Sequence, residues 1–169
     1  ELADDWCTEA VWDGDFNAGD FDQSENIFGS GIRIRGDRAV FVSSTATYDR
    51  LVHFDNDDLV FVSNSLPCLL AISNLSLNAD HSNYSSDILS ATLGPDKAVK
   101  WLPVDRDKIG ITYFRNLELA AGQLTWVDKP EKAKFWSSFD DYCRFLEQTA
   151  RRIAQNSLDN KRAHAIGML

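Results

Sequence analysis

Short apolar runs separated by turn residues at close spacing set the tightest limit on what this chain can fold into. IFGSGIRIR (Ile27–Arg35) leads through Gly36-Asp37-Arg38 into AVFVSST (Ala39–Thr45), and DRLVHF (Asp49–Phe54) leads through Asp55-Asn56-Asp57-Asp58 into LVFVS (Leu59–Ser63). Runs this short, rich in β-branched and aromatic residues, read as strands, and the pauses between them are short enough to join antiparallel neighbours. The spacing predicts a meander of four adjacent strands. The last of them passes directly into a second apolar run, giving LVFVSNSLPCLLAIS (Leu59–Ser73). Ser65 is placed to cap a helix N-terminus through its side-chain oxygen, and Pro67 falls in the first turn, where its missing N–H costs nothing. The periodicity predicts a buried seam of Leu59, Phe61, Leu66, Leu69 and Leu70 between sheet and helix.

The second half is less regular. Asn78–Asp87 is polar and turn-rich, and DILSATLG predicts a short helix stopped by Gly94-Pro95. A second hairpin is expected between Ile109 and Val127, with GITYFRNLEL and QLTWV flanking Ala120-Ala121-Gly122. After the break at Asp128-Lys129-Pro130 comes the strongest helical pattern. Phe139, Tyr142, Cys143, Leu146, Ala150 and Ile153 share one stripe, while Ser137 or Ser138, with Asp140 and Asp141, supply a cap and a favourable first-turn charge. The final RAHAIGML reads as the start of a strand.

Composition narrows the function classes. The 169 residues are 44% hydrophobic, enough to bury the core of one medium domain, or of one domain and the start of another. No run approaches the roughly 18 apolar residues of a membrane span, and ELADDW lacks the features of a signal peptide. A cytoplasmic chain without membrane contact is expected. A net charge of −9 repels phosphate backbones, so nucleic acid is not an expected partner. Cys7, Cys68 and Cys143 are widely spaced and read as reduced thiols. The glycosylation acceptor patterns at Asn74 and Asn83 carry little weight without secretion.

Candidate chemistry is sparse. Asp13, Asp15 and Asn17 match the first spacings of a calcium loop, but Ala18 stands where Gly is needed and Ser24 where a bidentate Glu is needed. A solvated acidic loop is the favoured reading, and no metal ligands are assigned. Gly29-Ser30-Gly31 enters a strand and not a helix, so a bulge or close backbone packing is favoured over phosphate binding. Cys68 and Cys143 are expected in the core as small hydrophobes. Cys7 is the one thiol in a polar context, with no neighbouring His to serve as base. His53, His81 and His164 are too scattered for a metal pair, and no Ser sits in a nucleophile elbow. No catalytic residue is assigned, and cofactor-binding residues stay unknown. Trp6, Trp12, Phe16 and Phe21 offer an alternative: exposed, they would form a recognition surface for a peptide or protein, and buried, they would be packing.

The order of elements resembles that of the asparagine synthase family. TYDRLVHF and LVFVSNSLPCLLA are similar to the family's strand–turn–strand and to its strand that ends in Ser and enters a Leu-rich helix. LELAAGQLTW is similar to a hairpin with a Leu-x-x-Gly turn, and KFWSSFDDYCRFLEQTARRI to the aromatic segment and amphipathic helix that lead into the ATP-binding domain. The resemblance implies an α+β fold of antiparallel β-sheets with flanking helices. Residues 1–130 would be a partial or degenerate glutaminase-like domain of the N-terminal nucleophile (Ntn) hydrolase type, and residues 131–169 the first helix of an α/β synthetase domain. It further implies a fragment of an ATP-dependent amide-forming ligase, which adenylates a carboxylate and passes it to an amine or ammonia. ATP and Mg²⁺ would then be held by a C-terminal synthetase domain that also serves as partner to this segment. SSTATYDR departs from the family's Arg-Asp-x-x-Gly, no Cys stands where a free α-amino group would activate it, and the pyrophosphate-binding Ser-Gly-Gly-x-Asp-Ser loop is absent. Scaffold and docking are the roles expected of this segment. A non-catalytic peptide- or protein-binding module, or a structural domain, are the alternatives.

Overall fold

The computed structural model describes residues 2–56, 59–130 and 136–159. The chain is α+β, with two antiparallel sheets that face each other. One contains β1 (Leu2–Ala3), β2 (Trp6–Thr8), β5 (Gly31–Arg35), β6 (Arg38–Val42), β11 (Asn116–Ala120) and β12 (Gln123–Val127), in that spatial order. The other contains β8 (Leu59–Ser63), β7 (Leu51–Asn56), β10 (Lys108–Thr112) and β9 (Trp101–Pro103). A small ribbon pairs β3 (Val11–Trp12) with β4 (Ile27–Phe28). Among the described residues the α-helices are α1 (Leu66–Ser73), α2 (Tyr84–Leu89) and α3 (Phe139–Asp159).

Strand alternation separates each sheet into an outer face with a core and an inner face lining the space between sheets. On the four-stranded sheet, Val52, Leu102, Ile109 and Ile111 point outward and bury themselves with Leu69 of α1 and with Leu75 and Ala91. On the six-stranded sheet, Val40 and Val42 point outward under Trp12, Phe16, Phe21 and Ile27. Trp12 lies 4.2 Å from Phe16 and 5.4 Å from Phe21 between ring centroids, so the acidic segment is folded around an aromatic core. Its charge is tied down as well. Buried Asp22 accepts a fork of hydrogen bonds from Arg35, at 2.9 and 2.7 Å. Burial alone would raise that carboxyl's pKa, and the bonds from Arg35 and Gln23 outweigh it and hold the pKa below the usual value.

Several expectations are corrected. The predicted four-strand meander is two hairpins in two sheets: β5 pairs β6, β7 pairs β8, and the chain changes sheet between Val42 and Leu51. GITYFRNLEL is likewise two strands. It breaks at Phe114, whose φ of 61° is left-handed, so β10 stays in one sheet and β11 crosses to the other. The hairpin of β11 with β12 turns at Ala121 and Gly122, both at positive φ. The predicted helix DILSATLG is the end of α2 followed by a 3-10 turn over Ser90–Leu93.

Helix α1 forms as its sequence predicts. Ser65 accepts a hydrogen bond from Cys68 N at 3.4 Å, Pro67 lies in the first turn, and Asn74 ends the helix at φ 52°. Leu69 is buried, and Phe61, Leu66 and Leu70 pack against the same core, whereas Leu59 is 57% exposed and leaves the seam. Cys68 and Cys143 are exposed and not core residues. Cys68 falls on the outward side of α1 despite its apolar neighbours, and Cys143 lies on the part of the α3 stripe that is exposed.

Helix α3 starts at Ser138, whose hydroxyl accepts from Asp141 N at 3.1 Å. Its C-terminal half is anchored: Ile153 and Ser157 are buried, and Asn156 Nδ2 donates to Gly14 O at 2.7 Å. The N-terminal half of the predicted stripe is largely uncovered, with Phe139 at 76% exposure, Leu146 exposed, and Tyr142 exposed beside the Trp136 ring at 5.9 Å between centroids. Among the described residues no helix is long and apolar enough to cross a membrane. Asp57, Asp58 and the expected strand RAHAIGML lie outside the described residues.

Candidate functional site

The inner faces of the two sheets enclose the candidate site. Register places one row across the six-stranded sheet, Cys7 opposite Ile32, Ile32 opposite Phe41, Phe41 opposite Leu117 and Leu117 opposite Trp126. Facing it, Leu51 and Val62 help to line a cleft of about 590 Å³ whose other wall is Cys7, Ile32 and Phe41. The middle of this cleft is apolar, and its mouth is polar.

At the mouth, Thr8, Glu9, Ser30 and Asn64 converge from three parts of the chain. Thr8 Oγ1 donates to Ser30 O at 3.0 Å and Glu9 N donates to the same carbonyl at 3.0 Å, which fixes the end of β2 on the turn before β5. Glu9 Oε1 accepts from Ser30 Oγ at 3.1 Å and from Asn64 Nδ2, and Asn64 Nδ2 also reaches Ser30 Oγ at 3.1 Å. A carboxylate, a hydroxyl and an amide thus form a closed triangle. Arg50 and Asp49 line the adjoining pocket of about 160 Å³, so the rim carries both signs of charge. Such a rim can orient a polar or zwitterionic group by hydrogen bonds.

The local backbone explains the glycines expected there. Gly29 has φ 108°, and a Cβ at Gly31 would meet Thr8 Oγ1 at 2.7 Å and Phe21 at 2.8 Å. Close packing of β5 on β2 is therefore their work, as the sequence reading favoured. Behind the mouth, Ser43 and Ser44 are buried. The Ser43 carbonyl accepts from Lys129 Nζ, and burial lowers the Lys129 pKa to about 8.

The residues singled out in the sequence are scattered by the fold. Cys7 stands in the cleft wall, and none of the cleft's lining residues is a histidine. His81 Nε2 pairs with Asp87 at 2.7 Å and packs on Tyr84, while His164 lies outside the described residues. Asp13 accepts from Ser24 Oγ at 2.7 Å and Asn26 Nδ2 at 2.8 Å, and Asp15 caps a 3-10 turn through Asn17 N. These internal bonds engage both Asp13 oxygens and one of Asp15. Trp12, Phe16 and Phe21 are fully buried and form packing, while Trp6 is half-buried with its ring 5.9 Å from that of Phe21, so the four do not form one exposed recognition surface. Ser65 caps α1, while Asn64 beside it reaches the mouth. Glu9 and Ser30 were missed as partners of Asn64 because nothing local in the sequence links three segments so far apart.

Comparison with protein-family models, curated proteins and solved structures finds no significant match. The site's chemistry must be argued from its own residues.

Proposed function

We propose that this chain is the scaffold and docking portion of an asparagine synthase-like, ATP-dependent amide-forming ligase, with a glutaminase-like sandwich of the Ntn hydrolase type. The observation that carries the reading is α3. A facing pair of antiparallel sheets, with helices packed on the outer side of one of them, is followed by an amphipathic helix. Its C-terminal half is anchored on the sandwich, and its N-terminal apolar stripe of Phe139, Tyr142 and Leu146 is uncovered. In the resembling family this helix leads into the ATP-binding domain, and an uncovered stripe is what a docked domain would bury. ATP and Mg²⁺ belong to that second domain and not to this segment.

The cleft supports a role without glutamine hydrolysis. Cys7 sits within strand β2, and no imidazole joins it among the cleft's lining residues. The peptide-binding alternative is weakened, since three of its four aromatic residues, Trp12, Phe16 and Phe21, are core and Trp6 is half-buried against them.

The test has two arms. Purified residues 1–169 should release no glutamate from glutamine above background, whereas the protein that carries this sequence at its natural length should form an amide from a carboxylate and an amine, with ATP cleaved to AMP and pyrophosphate. Glutamate release that disappears in Cys7→Ser, or a natural-length protein that turns over no ATP with any carboxylate and amine pair, would overturn the proposal.

A further inference from the structure

A second cavity, sharing no lining residue with the mouth, lies at the other end of the space between the sheets. It begins with a glycine. Gly110 in β10 stands directly opposite His53 on one side and Trp101 on the other. A Cβ at this position would come within 2.0 Å of His53 Nε2, so only glycine lets the imidazole lie across the strand. Trp126 closes the corner from the facing sheet. The three rings are mutually steep, with His53–Trp101 at 5.8 Å and 65°, His53–Trp126 at 5.5 Å and 75°, and Trp101–Trp126 at 5.8 Å and 84°. Trp126 Nε1 donates to Thr112 Oγ1 at 2.8 Å, which fixes its ring.

This corner is built as a site and not only as packing. The cavity measures about 300 Å³, within the range of small-molecule pockets, roughly 300–1,000 Å³. His53 is only 6% exposed, and its Nε2 is buried without a hydrogen-bond partner among the described residues, while Trp101 and Trp126 remain 40% and 36% exposed. Asp55 and Asp107 stand on the lining with a single ammonium, that of Lys108. That ammonium lies 4.7 Å from the Trp101 ring centroid. The fold itself already sets a cation on this aromatic face.

We propose that the corner of His53, Trp101 and Trp126 binds the alkylammonium group of a small organic cation. Ring faces are the negative part of an aromatic quadrupole, and several steep faces around one point hold a cation without needing hydrogen bonds from it. Two carboxylates against one ammonium add to this, and the net charge of −9 disfavours an anion. Lys108 then acts as a tethered competitor, which an arriving cation displaces from the Trp101 face.

Choline is the probe, and its neutral isostere 3,3-dimethylbutan-1-ol is the control, each titrated against the tryptophan fluorescence of the intact chain. Choline should give a saturable change and the alcohol none at the same concentration. Lys108→Gln should tighten choline binding and Trp101→Leu weaken it, each by roughly threefold to thirtyfold, the span of one cation–π contact. Asp107→Asn should weaken it several-fold. Equal binding of alcohol and choline would make the corner a plain apolar pocket, and preferential binding of butyrate would make Lys108 the anchor of an anion site. Either result, or no saturation by choline, overturns the proposal. Should Trp101→Leu lower the unfolding midpoint, exposed Lys108 decides: weaker choline binding in Lys108→Gln contradicts the competitor role.

Discussion

His53 shows how one buried residue makes stability depend on pH in mildly acidic solution. Burial favours its neutral imidazole and pushes its pKa down from 6.5 to about 4, with Asp55 opposing the shift. Between those values the unfolded chain takes up a proton that the folded chain does not. The stabilisation is therefore complete above pH 6.5 and lost as pH falls toward 4, and it amounts to about 3 kcal/mol over the whole window. Chemical denaturation of the native chain and of His53→Phe, at pH 7.5 and pH 5, measures it. The native protein should lose about 2 kcal/mol more than the variant over that interval, and equal losses would place the imidazole in water. Of this residue's setting, the sequence offered one signal only: Gly110 inside a strand, a usual mark of close approach. Which ring approaches it depends on pairing between strands distant in sequence, and hydrophobic periodicity carries no such information.

At the scale of elements, the unit β8–α1 was legible because its determinants are local. A short apolar strand, Ser65 at the cap, Pro67 in the first turn and Leu69 on the inner side all act within a few residues. Leu69→Ala should cost about 2–5 kcal/mol through lost burial and a cavity. Ser65→Ala should cost about 0.5–2 kcal/mol, largely restored in Ser65→Asp. Unfolding midpoints check both, and an unchanged midpoint for Leu69→Ala would detach α1 from its core. The break in GITYFRNLEL was not legible, since Gly110 to Leu119 has no Pro and no glycine at the bend. Phe114 takes the left-handed conformation there, a strained choice for a bulky residue that the tertiary fold imposes. Helix α3 was read correctly as a helix, yet the stripe that marks a buried face in a self-contained domain is half uncovered. Amphipathicity shows that a face seeks a partner and does not show which one.

For the whole molecule, antiparallel pairing followed from strand spacing and the α+β class from the resemblance in element order, while the division into two facing sheets followed from neither. That division creates both the polar mouth at Glu9, Ser30 and Asn64 and the aromatic corner at His53, because each gathers strands that are far apart in the chain. The proposed ligase role stands on the resemblance in element order and on the uncovered stripe of α3, and the stripe can be tested without touching either cleft. Leu146→Asp changes an exposed side chain, so the unfolding midpoint of residues 1–169 should stay the same. The decisive measurement is the ATP-dependent amide-forming rate of the natural-length protein carrying Leu146→Asp. The docking account predicts a fall of at least about tenfold, equivalent to roughly 1.4 kcal/mol of lost coupling, and a rate equal to that of the unsubstituted protein would contradict it.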